Sequence, residues 1–455
     1  MPVTKDAMAK TPYIADDSKL TLEALRFLAS PDGEVLRWAA AEARGEWTIS
    51  QIEKYRRQYP AAMIHAALTL GAVQQKATSP KGKFAGMKYV WSPPEALEQA
   101  TSLRLARHKA ARIRTYLAEK RQAGDGVPGP QVFDYCAGIG GDALGMAETL
   151  RVRAVELLPV RAWCLEHNAL ELGVNAQLEV VAGDVLNLPV LAPPPLAAEA
   201  GGRIMHIDPA RRSGGQRSHA WEDLIPGPVE LERLNAGFEA GAIKLSPGVD
   251  YHTLPAGHVE VISEFGNAVQ AVLWTGALGE FLGGNRQRTA TVLGDGSEPW
   301  SITGTPGEEG DVAGTLIGGW VFEIDPAVHR CGLAGALSRQ LGLAAVNTDG
   351  GYVVGPEMLD HPALTAFEVI GTVAYSEKRV AEALRDFAAT MPASAERKPK
   401  AIEVKTRGGL GLDTDRLQKL WSVLPGGDCG VTVLIYRVAR TETGGIQALL
   451  GRRKC

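Results

Sequence analysis

Four acidic residues each close an apolar run at the edge of a turn. Asp134 follows Val132 and Phe133 and leads into Gly138, Gly140 and Gly141. Glu156 ends Val152-Arg-Ala-Val, Asp184 follows Leu178-Glu-Val-Val181 and Gly183, and Asp208-Pro209 ends Arg203-Ile-Met-His-Ile. Short apolar runs bounded by turn residues predict buried strands. After the glycines, Ala143, Leu144, Met146, Ala147 and Leu150 recur at helical spacing. The stretch therefore predicts strand, tight turn and helix N-terminus. Glycines let backbone approach a ligand closely, and the first N–H groups of the helix are free to serve it. Carboxylates at such a turn suit a ligand bearing cationic or hydroxyl groups. Glu156 lies at the spacing where nucleotide folds hold ribose hydroxyls, roughly twenty residues on.

Gly138-x-Gly140-x-x-Ala143 also fits a dinucleotide fingerprint. Asp134 weighs against that reading, because an anion beside a pyrophosphate carries a like-charge cost. A glycine turn that binds nothing is the third reading of the stretch alone.

The elements that must position these residues follow in chain order. Residues 19–70 have helical spacing of Leu, Ile and aromatic residues, broken at Ser30-Pro31. Residues 76–94 mix lysines with Phe84, Tyr89 and Trp91, either as a loop facing nucleic acid or as a loop packing its aromatics inward. A helix over 95–122 carries Arg104, Arg107, His108, Lys109, Arg112, Arg114, Lys120 and Arg121, either as a solvated face or toward an anionic partner. Strands alternating with helices to about residue 240, then strands in succession, predict a parallel sheet with an antiparallel edge. The Gly-, Pro- and acid-rich residues 295–319 predict a linker before a separate α/β module.

The 455 residues allow two or three domains, and 45% hydrophobic content supports packed cores. A net charge of −4 gives no uniform field for nucleic acid, so any such contact must be local. Five scattered cysteines without a C-x-x-C pair point to a reducing compartment and away from a zinc site. No apolar run is long enough to span a membrane, so a cytoplasmic location is expected.

Asp134 with its glycines resembles motif I of class I S-adenosylmethionine-dependent methyltransferases, and Glu156, Asp184 and Asp208-Pro209 extend the likeness. The whole chain resembles a bacterial family of such enzymes with a C-terminal THUMP-like domain. The residues that carry this narrower match are Gln99-Ala-Thr101, Cys136-Ala-Gly-Ile-Gly-Gly-Asp142, Asp208-Pro-Ala-Arg-Arg212, Val272-Leu-Trp274, Glu377-Lys-Arg379 and Ile402-Glu-Val-Lys-Thr-Arg-Gly408. The resemblance implies an α/β fold in three parts. These are a helical N-terminal domain (1–122), a Rossmann-like core with a doubly wound seven-stranded sheet (123–300), and a THUMP-like α/β domain (315–455). It implies S-adenosylmethionine as cofactor and no metal.

By that resemblance the cofactor-binding positions are Asp134, Cys136, Gly138, Gly140, Gly141, Asp142, Glu156 and Asp184. Asp134 would sit near the methionine ammonium, Glu156 at the ribose hydroxyls and Asp184 at the adenine amine. Asp142 either caps the helix or approaches the methionine end. The catalytic positions are Asp208, Pro209 and Arg211. Asp208-Pro209 resembles the Asp/Asn-Pro-Pro-aromatic motif that orients an exocyclic amine. Here Ala210 and Arg211 replace the second proline and the aromatic, so the stacking platform is missing. Arg211 either stacks on a base or pairs with a phosphate, and Asp208 as a plain strand-end acid is the alternative.

The expected activity is methyl transfer to a base of RNA, with RNA contacts at Arg107, Arg112, Arg212, Lys405 and Arg407. No membrane and no protein partner are inferred. The alternative is a non-catalytic protein that binds S-adenosylmethionine and RNA. A nucleotide-dependent oxidoreductase is a third reading, disfavoured by Asp134.

Overall fold

The computed structural model describes residues 20–122, 131–187, 202–211, 219–294, 298–308, 310–311, 319–346, 350–390, 402–407, 409–422, 430–438 and 445–454. Arg212 lies outside the described residues. The chain divides into two compact units, Met1–Val259 with Ala271–Asn285, and Glu260–Gln270 with Arg286–Cys455.

The first unit opens with helices α1 (Leu22–Ala29), α2 (Pro31–Glu42), α3 (Ile49–Arg56), α4 (Ala61–Thr78), α5 (Pro94–Gln99) and α6 (Leu103–Gln122). Side-chain caps at Thr21 and Thr48 start α1 and α3, and proline occupies the first turn of α2 and α5. Then come β1 (Val132–Tyr135), α7 (Gly141–Ala147), β2 (Val152–Glu156), α8 (Pro159–Leu172), β3 (Leu178–Ala182) and β4 (Ile204–Ile207). A two-stranded ribbon, β5 (Ala210–Arg211) with β6 (Leu224–Ile225), precedes α9 (Pro228–Asn235), β7 (Ala240–Leu245), then β8 (His258–Glu264) and β9 (Asn267–Thr275), whose residues Glu260–Gln270 belong to the second unit, and α10 (Gly276–Phe281).

Strands β3, β2, β1, β4 and β7 are neighbours in that order and all parallel, and β9 lies antiparallel beside β7. The near-continuous burial of β1, β4 and β7 is what the centre of a parallel sheet covered on both faces requires. The order continues through β8 to β10 (Arg288–Leu293) and β11 (Trp300–Gly304), giving nine strands where seven were expected. β11 falls within the expected linker. Its Trp300 and Ile302 alternate with Ser301 and Thr303, a period-2 pattern that pairs antiparallel with β10.

The loop of lysines and aromatics before α5 packs inward. Phe84, Tyr89 and Trp91 are buried, and Asn168 of α8 accepts the Trp91 N–H at 2.8 Å and donates to its carbonyl at 3.0 Å. Trp91 meets Trp163 edge-on at 5.1 Å, and the Arg37 guanidinium lies 4.9 Å from the Trp91 ring. The basic helix α6 is not a wholly solvated face: His108 and Lys109 are buried with Leu105, Ala106, Ala110 and Ile113. It lies close on α7, because a Cβ on Gly145 would stand 2.5 Å from Ala106 Cβ.

The second unit continues with β12 (Trp320–Ile324), α11 (Pro326–Arg330), α12 (Ala334–Leu341), β13 (Ala344–Ala345), β14 (Tyr352–Gly355) and β15 (Leu364–Ala374). It closes with α13 (Glu377–Ala389), β16 (Glu403–Thr406), α14 (Thr414–Trp421), β17 (Val431–Arg437) and β18 (Ile446–Arg453). Gly332, whose φ is +71°, separates α11 from α12. The seven strands run β13-β14-β12-β15-β18-β17-β16. Helices α13 and α14 share one hydrophobic cluster with the sheet, through Val380, Leu384, Leu417 and Trp421.

Candidate active site

Strands β1, β4 and β7 place a polar row on one face of the sheet. Asp134 pairs in register with His206, and Ile207 with Ile243. Residues two apart on a strand point the same way. Asp134, His206, Asp208 and Lys244 therefore meet at the strands' C-terminal ends, where open α/β sheets bind ligands.

One continuous polar chain joins them. Asp134 Oδ1 stands 2.6 Å from His206 Nδ1, and His206 Nε2 stands 3.0 Å from Lys109 Nζ. Lys109 ion-pairs with Asp142 Oδ1, and Thr101 donates to Asp142 Oδ2 at 2.6 Å. Lys244 donates to Thr101 at 2.9 Å and to Asp208 Oδ2 at 2.6 Å. Burial opposes the Asp142 carboxylate, but Lys109 and then Lys244 outweigh it and hold the group well below the usual carboxylate range. Burial pushes Asp134 up, with His206 opposing. Beside this row, burial and the neighbouring Lys244 bring Lys83 down to about 8.

The glycine turn is sterically determined. Gly138 and Gly140 have φ of +59° and +96°. A Cβ on Gly140 would lie 2.1 Å from Leu165 Cδ1, and one on Gly141 would lie 2.5 Å from the Thr101 carbonyl oxygen. Gly138 faces open space. Cys136 also has positive φ, +58°, a conformation that costs a non-glycine residue about 1–3 kcal/mol. Its thiol is pushed well above its ordinary value by burial and then by Glu156, Asp208, Asp134 and Asp184. Four carboxylates that oppose a thiolate at this point favour a cation there.

The acids expected to hold the cofactor have definite partners. Glu156 accepts the Gly138 N–H at 2.7 Å and the Leu158 N–H at 2.9 Å, bracing the glycine turn. Asp184 accepts the Leu186 N–H at 2.9 Å and Asn187 Nδ2 at 2.6 Å. Asp142 is engaged by Lys109 and Thr101 rather than by the N-terminus of α7. Asp134 Oδ2 is buried with no hydrogen-bond partner among the described residues. At Arg211 the backbone pairs with Leu224 in the β5–β6 ribbon.

The expected RNA-contact residues are dispersed. Arg107 makes two hydrogen bonds of 2.7 Å to Glu148, and Arg112 is partly buried on the same helix. In the second unit Lys405 and Arg407 both bind Glu323, at 2.6 and 3.1 Å. The sequence reading missed His206, Lys109 and Lys244, and did not give Thr101 a role in the site. A signal existed for two of them: a charged or titratable residue interrupts each of the apolar runs Ile204–Ile207 and Ala240–Leu245.

No protein-family profile matches the chain. An uncharacterized S-adenosylmethionine-dependent methyltransferase of Mycobacterium tuberculosis, from strains CDC 1551 / Oshkosh and H37Rv, is 32% identical over 297 residues, spanning 64% of this chain and 72% of the relative. A crystal structure from Porphyromonas gingivalis W83, provisionally assigned as a methyltransferase, shares the fold. Its TM-score is 0.67 at 18% identity, over 93% of this chain and 98% of that one. The chain belongs to the S-adenosylmethionine-dependent methyltransferases, and S-adenosylmethionine is its cofactor.

The residues present fit that cofactor. The space over Gly138, the unpartnered oxygen of Asp134 and the carboxylates around Cys136 suit a molecule that carries an ammonium and a sulfonium. Glu156→Ala is expected to weaken S-adenosylmethionine binding about tenfold or more, since it removes charge-assisted bonds that hold the turn as well as any to the ligand. Calorimetry on the variant measures this, and unchanged affinity would remove Glu156 from the binding site.

Proposed function

We propose that the enzyme methylates a base of RNA, at an exocyclic amine, in a class I Rossmann-like core followed by a THUMP-like module. The parallel order β3-β2-β1-β4-β7 with antiparallel β9 supports that core. On this reading the regions 1–122, 123–300 and 315–455 are the helical, catalytic and THUMP-like parts of a cytoplasmic enzyme.

One observation carries the acceptor assignment. Asp208 has a side chain 34% exposed at the end of β4, and Lys244 holds its Oδ2 at 2.6 Å. Its Oδ1 has no protein partner among the described residues. That oxygen and the Pro209 carbonyl can accept the two N–H groups of an amine, which aims the nitrogen lone pair. The cofactor supplies a methyl group made electrophilic by a cationic sulfur. Lys244 fixes the Asp208 carboxylate, and Asp208 is placed to receive the proton that the amine gives up. Catalysis is mainly positioning.

Asp134, Cys136, Gly138, Gly140, Gly141, Glu156 and Asp184 line the cofactor on this reading, and Arg107, Arg112, Arg211, Arg212, Lys405 and Arg407 meet phosphates. The Arg107–Glu148 pair is exposed, so it is worth at most about 1 kcal/mol and a phosphate competes with it.

A second reading, a non-catalytic protein that binds cofactor and RNA, draws on the β5–β6 ribbon, which fixes Ala210 and Arg211 where a stacking aromatic would stand. Mass spectrometry of RNA nucleosides from cells with and without the gene separates the two. One methylated base should disappear on deletion and return with the wild-type gene. An identical nucleoside profile, with cofactor and RNA binding retained, favours the second reading.

A further inference from the structure

The segment before β1 contributes one fully buried charge to the site, Lys109 of α6, at 0% exposure. Burial pulls the Lys109 amine down and the paired Asp142 carboxylate pulls it back up; as the ammonium of that ion pair it has donors only, so its 3.0 Å approach makes His206 Nε2 the acceptor. The His206 proton must then sit on Nδ1, which donates to Asp134 Oδ1 at 2.6 Å. With Oδ1 held, the remaining Asp134 oxygen is buried and unpartnered at the glycine turn. Asp142 anchors the ammonium, and Thr101 and Lys244 anchor Asp142.

We infer that Lys109 is a positioning residue for the cofactor: it selects the Nδ1–H tautomer of His206 and so presents Asp134 Oδ2 to the methionine ammonium of S-adenosylmethionine. The inference rests on the placement of Asp134 at that ammonium and is independent of the acceptor.

The test compares two ligands by calorimetry on the full chain. S-adenosylmethionine carries the amino-acid end, whereas 5′-methylthioadenosine keeps the adenosine and sulfur but lacks it. Lys109→Met should weaken S-adenosylmethionine about tenfold or more, the worth of a charge-assisted bond, and leave methylthioadenosine unchanged. A merely structural lysine would weaken both ligands together or neither, and either result overturns the inference.

The tautomer is tested at His206. Asparagine places an N–H near the Nδ1 position and glutamine places one near Nε2, so His206→Asn should keep more S-adenosylmethionine affinity than His206→Gln. Equal affinities, or the reverse order, overturn the inference, and this pair decides it if Lys109→Met does not fold. Asp134→Asn separates the layers. If it weakens S-adenosylmethionine selectively while Lys109→Met does not, only the role of Lys109 fails. If Asp134→Asn changes neither affinity, the placement of Asp134 fails as well.

Discussion

Asp208→Ala is expected to cut methyl transfer about a hundredfold while leaving S-adenosylmethionine affinity close to wild type, the scale of loss when a reacting group is misplaced by about an ångström. Asp208 lies at the far end of the polar chain from Asp134, with Lys244, Thr101, Asp142, Lys109 and His206 between them. On the proposed reading, removing it takes away the carboxylate that receives the acceptor and leaves the glycine turn untouched. Lys244 keeps its bond to Thr101 at 2.9 Å, so the ammonium is not stranded. Single-turnover transfer to RNA from cells lacking the enzyme gives the rate, and calorimetry gives the affinity. Equal transfer by wild type and variant would return Asp208 to a structural role. A parallel loss of cofactor affinity would place it in the cofactor site instead.

The largest effect on stability is expected at Asp142. Asp142→Ala strands the ammonium of Lys109 in a fully buried position, with His206 as its remaining side-chain partner among the described residues. Breaking one partner of a buried ion pair costs about 3–5 kcal/mol. Urea unfolding of the full chain at neutral pH measures the loss. The pH dependence has a definite sign. The folded Asp142 is held below its ordinary value, so its contribution is complete above the unfolded carboxylate pKa of about 4 and is lost as pH falls through the folded value. The stability gap between wild type and variant should therefore be constant from neutral pH to about pH 5 and shrink in more acidic solution. A gap that stays the same below that point would show that Asp142 acts through packing rather than charge.

Short-range pattern carried the glycine turn and the strands around it. The glycines, the acids at strand ends and the strands at 132–135, 152–156, 178–182 and 204–207 were legible because each depends on residues a few positions apart. The positive φ angles of Gly138 and Gly140 follow from the same local logic. What surrounds that motif was decided by tertiary structure. Lys109 looked like one more cation on a basic helix, yet it lies buried against His206, 97 residues away. Lys244 looked like an interruption in an apolar strand, yet sheet register sets it beside Asp208. Lys405 and Arg407 looked like an open basic patch, but Glu323, more than eighty residues earlier, binds both. The aromatics at 84–91 admitted two readings until Asn168 and Trp163 were seen to cover Trp91. Periodicity tells a side chain which face to take. The opposite charge that will stand on that face depends on strand order and helix packing, and those are properties of the whole fold.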